Sequence, residues 1–196
     1  IARGAVSLGA AAATFAGSQL RIDSLNWRDG RLVCSGSIAN FPAALLLARS
    51  AALRGIESTL TLWGRWSLDV GEHVNAALEV GREKGDLLIA GEPKFPLQLD
   101  QLALAARVTE SRARLDLAFH TARLGSGTGT AETTLERRDG RWGIAASAPL
   151  RLQGSAALAS LRPLGSLAGT GIALDGRVAL DVRGDGTVAE PRIAGS

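Results

Sequence analysis

From Leu60 onward the chain alternates apolar and polar residues with a period of two, and this pattern constrains its fold more than any other feature. Leu60, Leu62, Gly64, Trp66, Leu68 and Val70 fall on one side of an extended backbone. Thr59, Thr61, Trp63, Arg65, Ser67 and Asp69 fall on the other. The rule returns in Val74, Ala76, Leu78 and Val80, in Leu97 and Leu99, and in Leu102, Leu104, Ala106 and Val108. It appears again in Leu115, Leu117 and Phe119, and in Ile172, Leu174, Gly176, Val178, Leu180 and Val182. A backbone whose side chains alternate between two faces buries such a pattern only as a strand, apolar on one side and wet on the other.

Short turn signals separate the runs. Arg28-Asp29-Gly30-Arg31 and Arg138-Asp139-Gly140-Arg141 place Asp-Gly between apolar segments, a strong hairpin signal. Lys84-Gly85-Asp86 and Thr109-Glu110-Ser111 are weaker hairpin signals of the same kind. Connections this short join antiparallel neighbours, because parallel strands need long crossovers. Helix is expected in two places only. Asn40-Phe41-Pro42 offers a cap and a first-turn proline before an Ala/Leu-rich stretch, residues 43–54, which Gly55 ends. A second, shorter helical segment is expected around residues 157–167, interrupted by Pro163 and Gly165.

An internal repeat organises the chain. Residues 60–70 align without gaps on residues 172–182, with six of eleven positions identical: the Leu, Gly, Arg, and the final Leu-Asp-Val. Upstream, Ser35-Gly36-Ser37 before the first helical stretch parallels Gln153-Gly154-Ser155 before the second. This divides the chain into the end of one β unit (1–31), a full unit (32–148) and the opening of the next (149–196), as expected of a piece of a longer parent.

Ten to twelve amphipathic strands present more apolar surface than two short helices can cover. The sheet must close on itself as a barrel or sandwich, or curl into a trough that something apolar fills. At ~4.8 Å per strand, twelve strands make a sheet roughly 55 Å long, wide enough when curled to hold acyl chains. Gly64, Ala76, Ala106 and Gly176 on the apolar side leave room inside. The expected fold is therefore all-β, an elongated and mostly antiparallel sheet curled into an open hydrophobic groove. Its expected lining is Leu60, Leu62, Trp66, Leu68, Val70, Val74, Leu78, Val80, Leu97, Leu99, Leu115, Leu117, Phe119, Ile172, Leu174, Val178, Leu180 and Val182. The alternative is a closed β-sandwich or barrel whose apolar face is its own dry core.

Other chemistries find little support. The net charge of +3 is scattered, with acids interleaved among the arginines as in Arg114-Leu115-Asp116, so nucleic acid is not an expected partner. Cys34 is the single cysteine, which excludes an internal disulfide or a cysteine-based zinc site. His73 and His120 stand far apart, each opposite its strand's apolar positions and expected to face solvent. Gly125-Ser126-Gly127-Thr128-Gly129-Thr130 lacks the lysine and the following helix of a phosphate loop, and reads as a strand. The acid pairs Asp181 with Asp185 and Glu132 with Glu136 read as a solvated face, and no serine sits in a nucleophile elbow. Trp63 and Trp66 alternate onto opposite faces, Trp66 inward. No catalytic, cofactor or metal site is expected, and the reading is of a protein that is not an enzyme. No apolar run approaches the ~20 residues of a membrane span, so an anchor, if one exists, is expected outside this segment.

The last strand segment closes on Gly186-Thr187-Val188-Ala189-Glu190-Pro191-Arg192-Ile193-Ala194-Gly195. A strand followed by Gly-Thr-Val-Ala-x-Pro-x-Ile-x-Gly resembles the recurring signature of the TamB family, the large periplasmic component of the translocation and assembly module. The AsmA-like relatives of that family belong to the bridge-like lipid-transfer class. The Gly-Ser strand leading through Asn40-Phe41-Pro42 is similar to the family pattern as well. The resemblance is most specific over residues 150–196, moderate over 32–80, and between 81 and 148 rests on strand pattern alone. It implies a β-taco anchored in the inner membrane and reaching across the periplasm, its interior carrying phospholipid acyl chains. An outer-membrane barrel of the TamA type is the implied partner, with a role in outer-membrane protein and autotransporter assembly and unfolded strands of such proteins as further clients. The family motifs are structural and bring no catalytic residue with them. An exposed first or last strand is expected to favour edge-to-edge self-association.

Overall fold

The computed structural model describes residues 4–48, 55–90, 94–161 and 175–196. One antiparallel sheet of twelve strands dominates it and does not close into a barrel. Its strands are β1 (Val6–Leu8), β2 (Ala11–Phe15), β3 (Ser18–Arg28), β4 (Arg31–Pro42), β6 (Thr61–Val70), β7 (Val74–Lys84), β10 (Leu99–Glu110), β11 (Arg112–Thr121), β12 (Gly125–Thr134), β15 (Arg151–Leu158), β16 (Val178–Gly186) and β17 (Pro191–Gly195). Spatial order follows chain order throughout, with β1 and β2 sharing the outer side of β3. The sheet runs without interruption across both expected unit boundaries, since β3 pairs with β4 and β12 with β15.

A meander of this kind sends alternate connections to opposite rims. One rim is built of tight turns. Asp29-Gly30 joins β3 to β4 with both residues at positive φ, as the Asp-Gly signal requires, and Glu110-Ser111 joins β10 to β11. Residues 71–73 turn β6 into β7. The same rim carries a small hairpin, β13 (Glu136–Arg138) and β14 (Arg141–Gly143), closed by the second Asp-Gly pair. Trp142 Nε1–H donates to the carbonyl of Gly71 at 3.1 Å and ties this hairpin back to the β6–β7 turn.

The opposite rim carries longer detours, and here the chain leaves the sheet. Between β4 and β6 lie α1 (Ala44–Leu47) and β5 (Ile56–Ser58). Between β7 and β10 lie β8 (Leu87–Ile89) and β9 (Phe95–Pro96), which pair with β5 as a three-stranded cap. The described part of the first expected helix is a single turn, and residues 49–54 lie outside the described residues. The second expected helix is corrected at its start: Ala157 and Leu158 belong to β15, because they extend the register opposite Ala179 and Val178. Its remainder, from 162, lies outside the described residues. Lys84-Gly85-Asp86 is not a hairpin but the corner by which the chain leaves β7 for the cap. Asp86 is the hub of that corner. Its carboxylate accepts from the backbone N–H groups of Leu87, Gln98 and Leu99 at 2.8–2.9 Å.

Irregular pairing bends the sheet. Register shifts occur in β3 between Ile22 and Ser24, in β4 between Ile38 and Phe41, between Thr61 and Leu62 of β6, and in β10 between Leu99 and Gln101. Each extra residue increases the local right-handed twist and curls the strand. Two of these irregularities support each other: Glu83 places its carboxylate 2.6 Å from the backbone N–H of Asn40, which sits at φ 55°. Three of the four lie toward the cap. There the fully packed core is found: Ala43, Leu60, Leu62 and Leu99, with Phe41, Val80, Leu87 and Leu102 against them.

Candidate functional site: an uncovered apolar face

Residues paired across antiparallel strands project to the same side, so the register defines the faces of the sheet. One row reads Ala11, Ile22, Gly36, Trp66, Leu78, Ala106, Leu115, Ala131, Leu152, Gly184, Ile193, one residue from each strand in turn. The row beside it reads Ala13, Leu20, Ile38, Gly64, Val80, Leu104, Leu117, Gly129, Gly154, Val182, Gly195. Neither row contains a polar side chain. Toward the turn rim, Leu8, Leu25, Cys34, Leu68, Ala76, Val108 and Ala113 extend the same surface.

This face is not a dry core. Leu78, Leu115, Leu117 and Leu180 keep 39%, 38%, 38% and 42% of their surface exposed. In a closed sandwich or barrel Leu78, Leu115 and Leu117, on the central strands, would be among the most deeply buried of all.

Aromatic rings on the face lie down rather than stand up. Glycine on the neighbouring strand makes this possible: a Cβ on Gly36 would meet the Trp66 ring at 2.5 Å, and one on Gly127 would meet Phe119 at 2.6 Å. The glycines thus let two large side chains cover backbone without filling the space above the sheet. On the opposite face Trp63 lies over Gly81 in the same way, with the Arg65 guanidinium 5.9 Å from its ring centre.

Of the expected lining, Trp66, Leu68, Val70, Leu78, Val80, Leu115, Leu117, Phe119, Val178, Leu180 and Val182 share this one face. Leu60, Leu62, Val74, Leu97 and Leu99 are buried, Leu60, Leu62 and Leu99 in the packed corner under the cap. They anchor the floor at its margins rather than offer open surface. Ile172 and Leu174 lie outside the described residues. Alternation alone missed Ile22, Leu25 and Trp27, because the slip at Asp23 breaks the period within β3. It also missed Leu152, Ala156 and Leu158, whose alternation with Arg151, Gln153 and Ser155 is legible in β15. The two copies of the repeat are not structurally equivalent. Gly64-Arg65 lies within β6, whereas Gly176, at φ 125°, precedes β16.

The other face is polar and cross-linked. Arg31 grips Asp69 through Nε at 2.7 Å, Arg65 binds Glu79 at 2.6 Å, and Arg107 reaches Glu79 at 3.7 Å. Arg114 bonds Asp116 and Glu132. These pairs step across β4, β6, β7, β10, β11 and β12 and oppose any slip of register. Recesses of about 370 and 430 Å³ on this face sit beside Trp63 and His120, over Ala103, Ala105, Ala118 and Ala157. His120 Nδ1 lies 3.1 Å from Asp100 Oδ2, and no group of metal-ligating side chains occurs among the described residues. No helix among the described residues is long and apolar enough to cross a membrane.

The hydrogen bond from Arg31 holds the Asp69 carboxyl below its ordinary value of 3.8, and that from Arg114 does the same for Asp116. A carboxyl lowered by folding contributes stability above its unfolded pKa, and loses it as pH falls through the lower folded value. Thermal stability should therefore be insensitive to these two groups down to about pH 5 and decline below about pH 4. The effect should be small and salt-sensitive, since both carboxylates are exposed. Melting curves of the parent and Asp69→Asn across that range check this: the variant should show a shallower acid decline, and an identical decline would refute the assignment.

Compared with known protein families, curated proteins and solved structures, the chain matches none. Its fold defines it as an open antiparallel β-sheet protein with one polar, charge-linked face and one apolar face that no described strand or helix covers along its centre.

Proposed function

We propose that the protein carries phospholipid acyl chains along its apolar face, as the resemblance to the TamB family suggests. The observation that supports this best is the unbroken pair of apolar rows, eleven residues each, that crosses every strand position and, away from the cap, leaves Leu78, Leu115 and Leu117 more than a third exposed. Such a surface in water is unfavourable by about 25 cal/mol per Å² of apolar area, and each methylene laid on it recovers about 0.8 kcal/mol. An acyl chain suits it in two ways. It is long and thin enough to follow the rows, and it asks for no hydrogen bonds, which these rows do not offer. The rows run perpendicular to the strands, so the path they mark spans roughly 50 Å at ~4.8 Å per strand.

In this reading the protein works in the periplasm, anchored in the inner membrane by a segment outside this sequence. An outer-membrane barrel of the TamA type is its partner, and outer-membrane proteins and autotransporters benefit from its action. Strands of unfolded outer-membrane protein are a second class of client, with their own apolar side chains on the same rows. The direct test is mass spectrometry of organic extracts from protein purified after mixing with phospholipid vesicles. Phospholipid retained through purification is the expected result, and protein that emerges lipid-free would defeat the proposal.

A further inference from the structure

The polar face carries a recess with chemistry of its own. Two neighbouring rows cross it from β6 to β12. One reads Trp63, Gly81, Ala103, Ala118, Thr128, and the other Arg65, Glu79, Ala105, Asp116, Thr130. Ala103, Ala105 and Ala118 are low points between taller neighbours, and over them lies the recess of about 370 Å³. That volume is at the small end for ligand sites. Like them, the recess joins an apolar floor to a few polar groups at its margin.

The marginal groups are oriented before any ligand arrives. Gly81 lets the Trp63 indole lie against the sheet, since a Cβ there would come within 2.6 Å of the ring, and 37% of the tryptophan stays exposed. The Arg65 guanidinium, 5.9 Å from the ring centre, is at the limit of cation–π range and outside stacking contact. Arg65 holds the Glu79 carboxylate at 2.6 Å, and Arg114 holds that of Asp116 at 3.0 Å. Among the described residues nothing accepts a hydrogen bond from Trp63 Nε1–H, and the Thr130 hydroxyl has no partner.

These groups select by charge and by shape. An anion would meet two carboxylates, and a cation would have to displace the arginines that already pair with them, so an uncharged ligand fits best. We propose that the recess binds a pyranose ring with equatorial hydroxyls, as a free sugar or as one unit of a glycan. Such a ring is flat, with C–H groups on its faces and hydroxyls around its edge. One face lies on the methyls of Ala103, Ala105 and Ala118, beside the indole. Hydroxyls at the edge donate to Glu79 and Asp116, and such bonds are strong because the acceptor is ionised. Another hydroxyl accepts from Trp63 Nε1–H, and Thr130 can donate or accept. The site lies on the face opposite the apolar rows and does not depend on what those rows carry.

Titration of the 196-residue chain with cellotriose, an uncharged β-1,4-linked glucose trimer, tests it. Calorimetry measures the affinity, and the indole N–H resonances of the four tryptophans locate the binding. Saturable binding that shifts the Trp63 signal is expected. Trp63→Ala and Ala118→Leu should each weaken it about tenfold or more. Ala118→Leu keeps the indole and places a side chain where the sugar would lie, so it reports on the site even if the loss of Trp63 disturbs folding. Asp69→Asn, two rows away on the same face, should bind as the parent does. Sorbitol offers hydroxyls on an open chain without a ring face and should not bind. Circular dichroism confirms that each variant is folded. No saturable binding of cellotriose, binding that leaves the Trp63 signal in place, an affinity unchanged in Ala118→Leu, or an equal response to sorbitol would each overturn the proposal.

Discussion

Leu68→Asp and Leu180→Arg should each abolish lipid carriage while the protein stays folded. Both residues lie on the apolar face: Leu68 between Cys34 and Ala76, Leu180 opposite Ala156 with 42% of its surface exposed. Because that face is open, an ionised side chain there can remain hydrated when no lipid is bound. Folding then loses only the contacts of the replaced leucine, about 1–2 kcal/mol, which for a chain of this size is a fall of roughly 5 °C in melting temperature. An acyl chain laid over the same charge must strip its water, at several kcal/mol. Each 1.4 kcal/mol is tenfold in affinity, so retained phospholipid should fall by about a hundredfold or more. Ser67→Asp is the matched control, since Ser67 lies on the polar face between Ser35 and Ala77. Arg65→Asp serves less well, because Arg65 bonds Glu79 and a carboxylate in its place would face another. Full lipid carriage by both variants would sink the conduit reading. Global unfolding by both would point instead to a sealed core.

A large loss of stability is expected from Gly85→Ala. Gly85 sits at φ 87°, and a Cβ there would lie 2.1 Å from the carbonyl oxygen of Thr59, with two more backbone atoms within 2.8 Å. No side chain can swing aside to relieve this, so β7 and the chain entering β6 would have to part. That separation would break the Thr59 N–H bond to the Asp86 carbonyl and disturb the bonds from Arg82 to the Gly85 carbonyl. Strain of this kind with lost hydrogen bonds amounts to about 3 kcal/mol or more. Urea unfolding should show the midpoint moving accordingly. A loss below about 1 kcal/mol would mean that the corner does not hold the cap as described. Gly140→Ala in the β13–β14 turn, also at positive φ but with open space around it, should cost less.

How much of this was legible beforehand follows from the physics of each signal. Side-chain alternation is imposed by the strand itself, so the face assignments of Trp63, Trp66, Leu115 and Val182 could be read directly. The two Asp-Gly turns were legible because few other residues adopt φ > 0 cheaply. Slips were not legible: Asp23 is one residue too many, and nothing in its chemistry marks it as such. Ala/Leu-rich segments misled in the opposite direction. Ala157-Leu158 has good helix propensity, yet pairing with β12 and β16 overrides it. The cap was least legible of all. It is held by Asp86 binding backbone amides up to thirteen residues away, and a lone aspartate gives no warning of that. The apolar surface was therefore foreseen as a surface, while the part of it that packs shut was not.

The asymmetry between the two rims bears on how such a chain changes over evolutionary time. Within the large sheet spatial order follows chain order, so adding or deleting a hairpin away from the cap leaves the other pairings intact. The span of the apolar surface is then set by gene length alone, in steps of about 10 Å for each pair of strands. New segments fit at both rims: the turn rim has two links only two residues long yet carries the β13–β14 hairpin, and the cap rim absorbs a helix, three short strands and their loops. Lineages that carry this architecture should diverge in reach by duplicating hairpins, and in specificity by varying what stands along the rims.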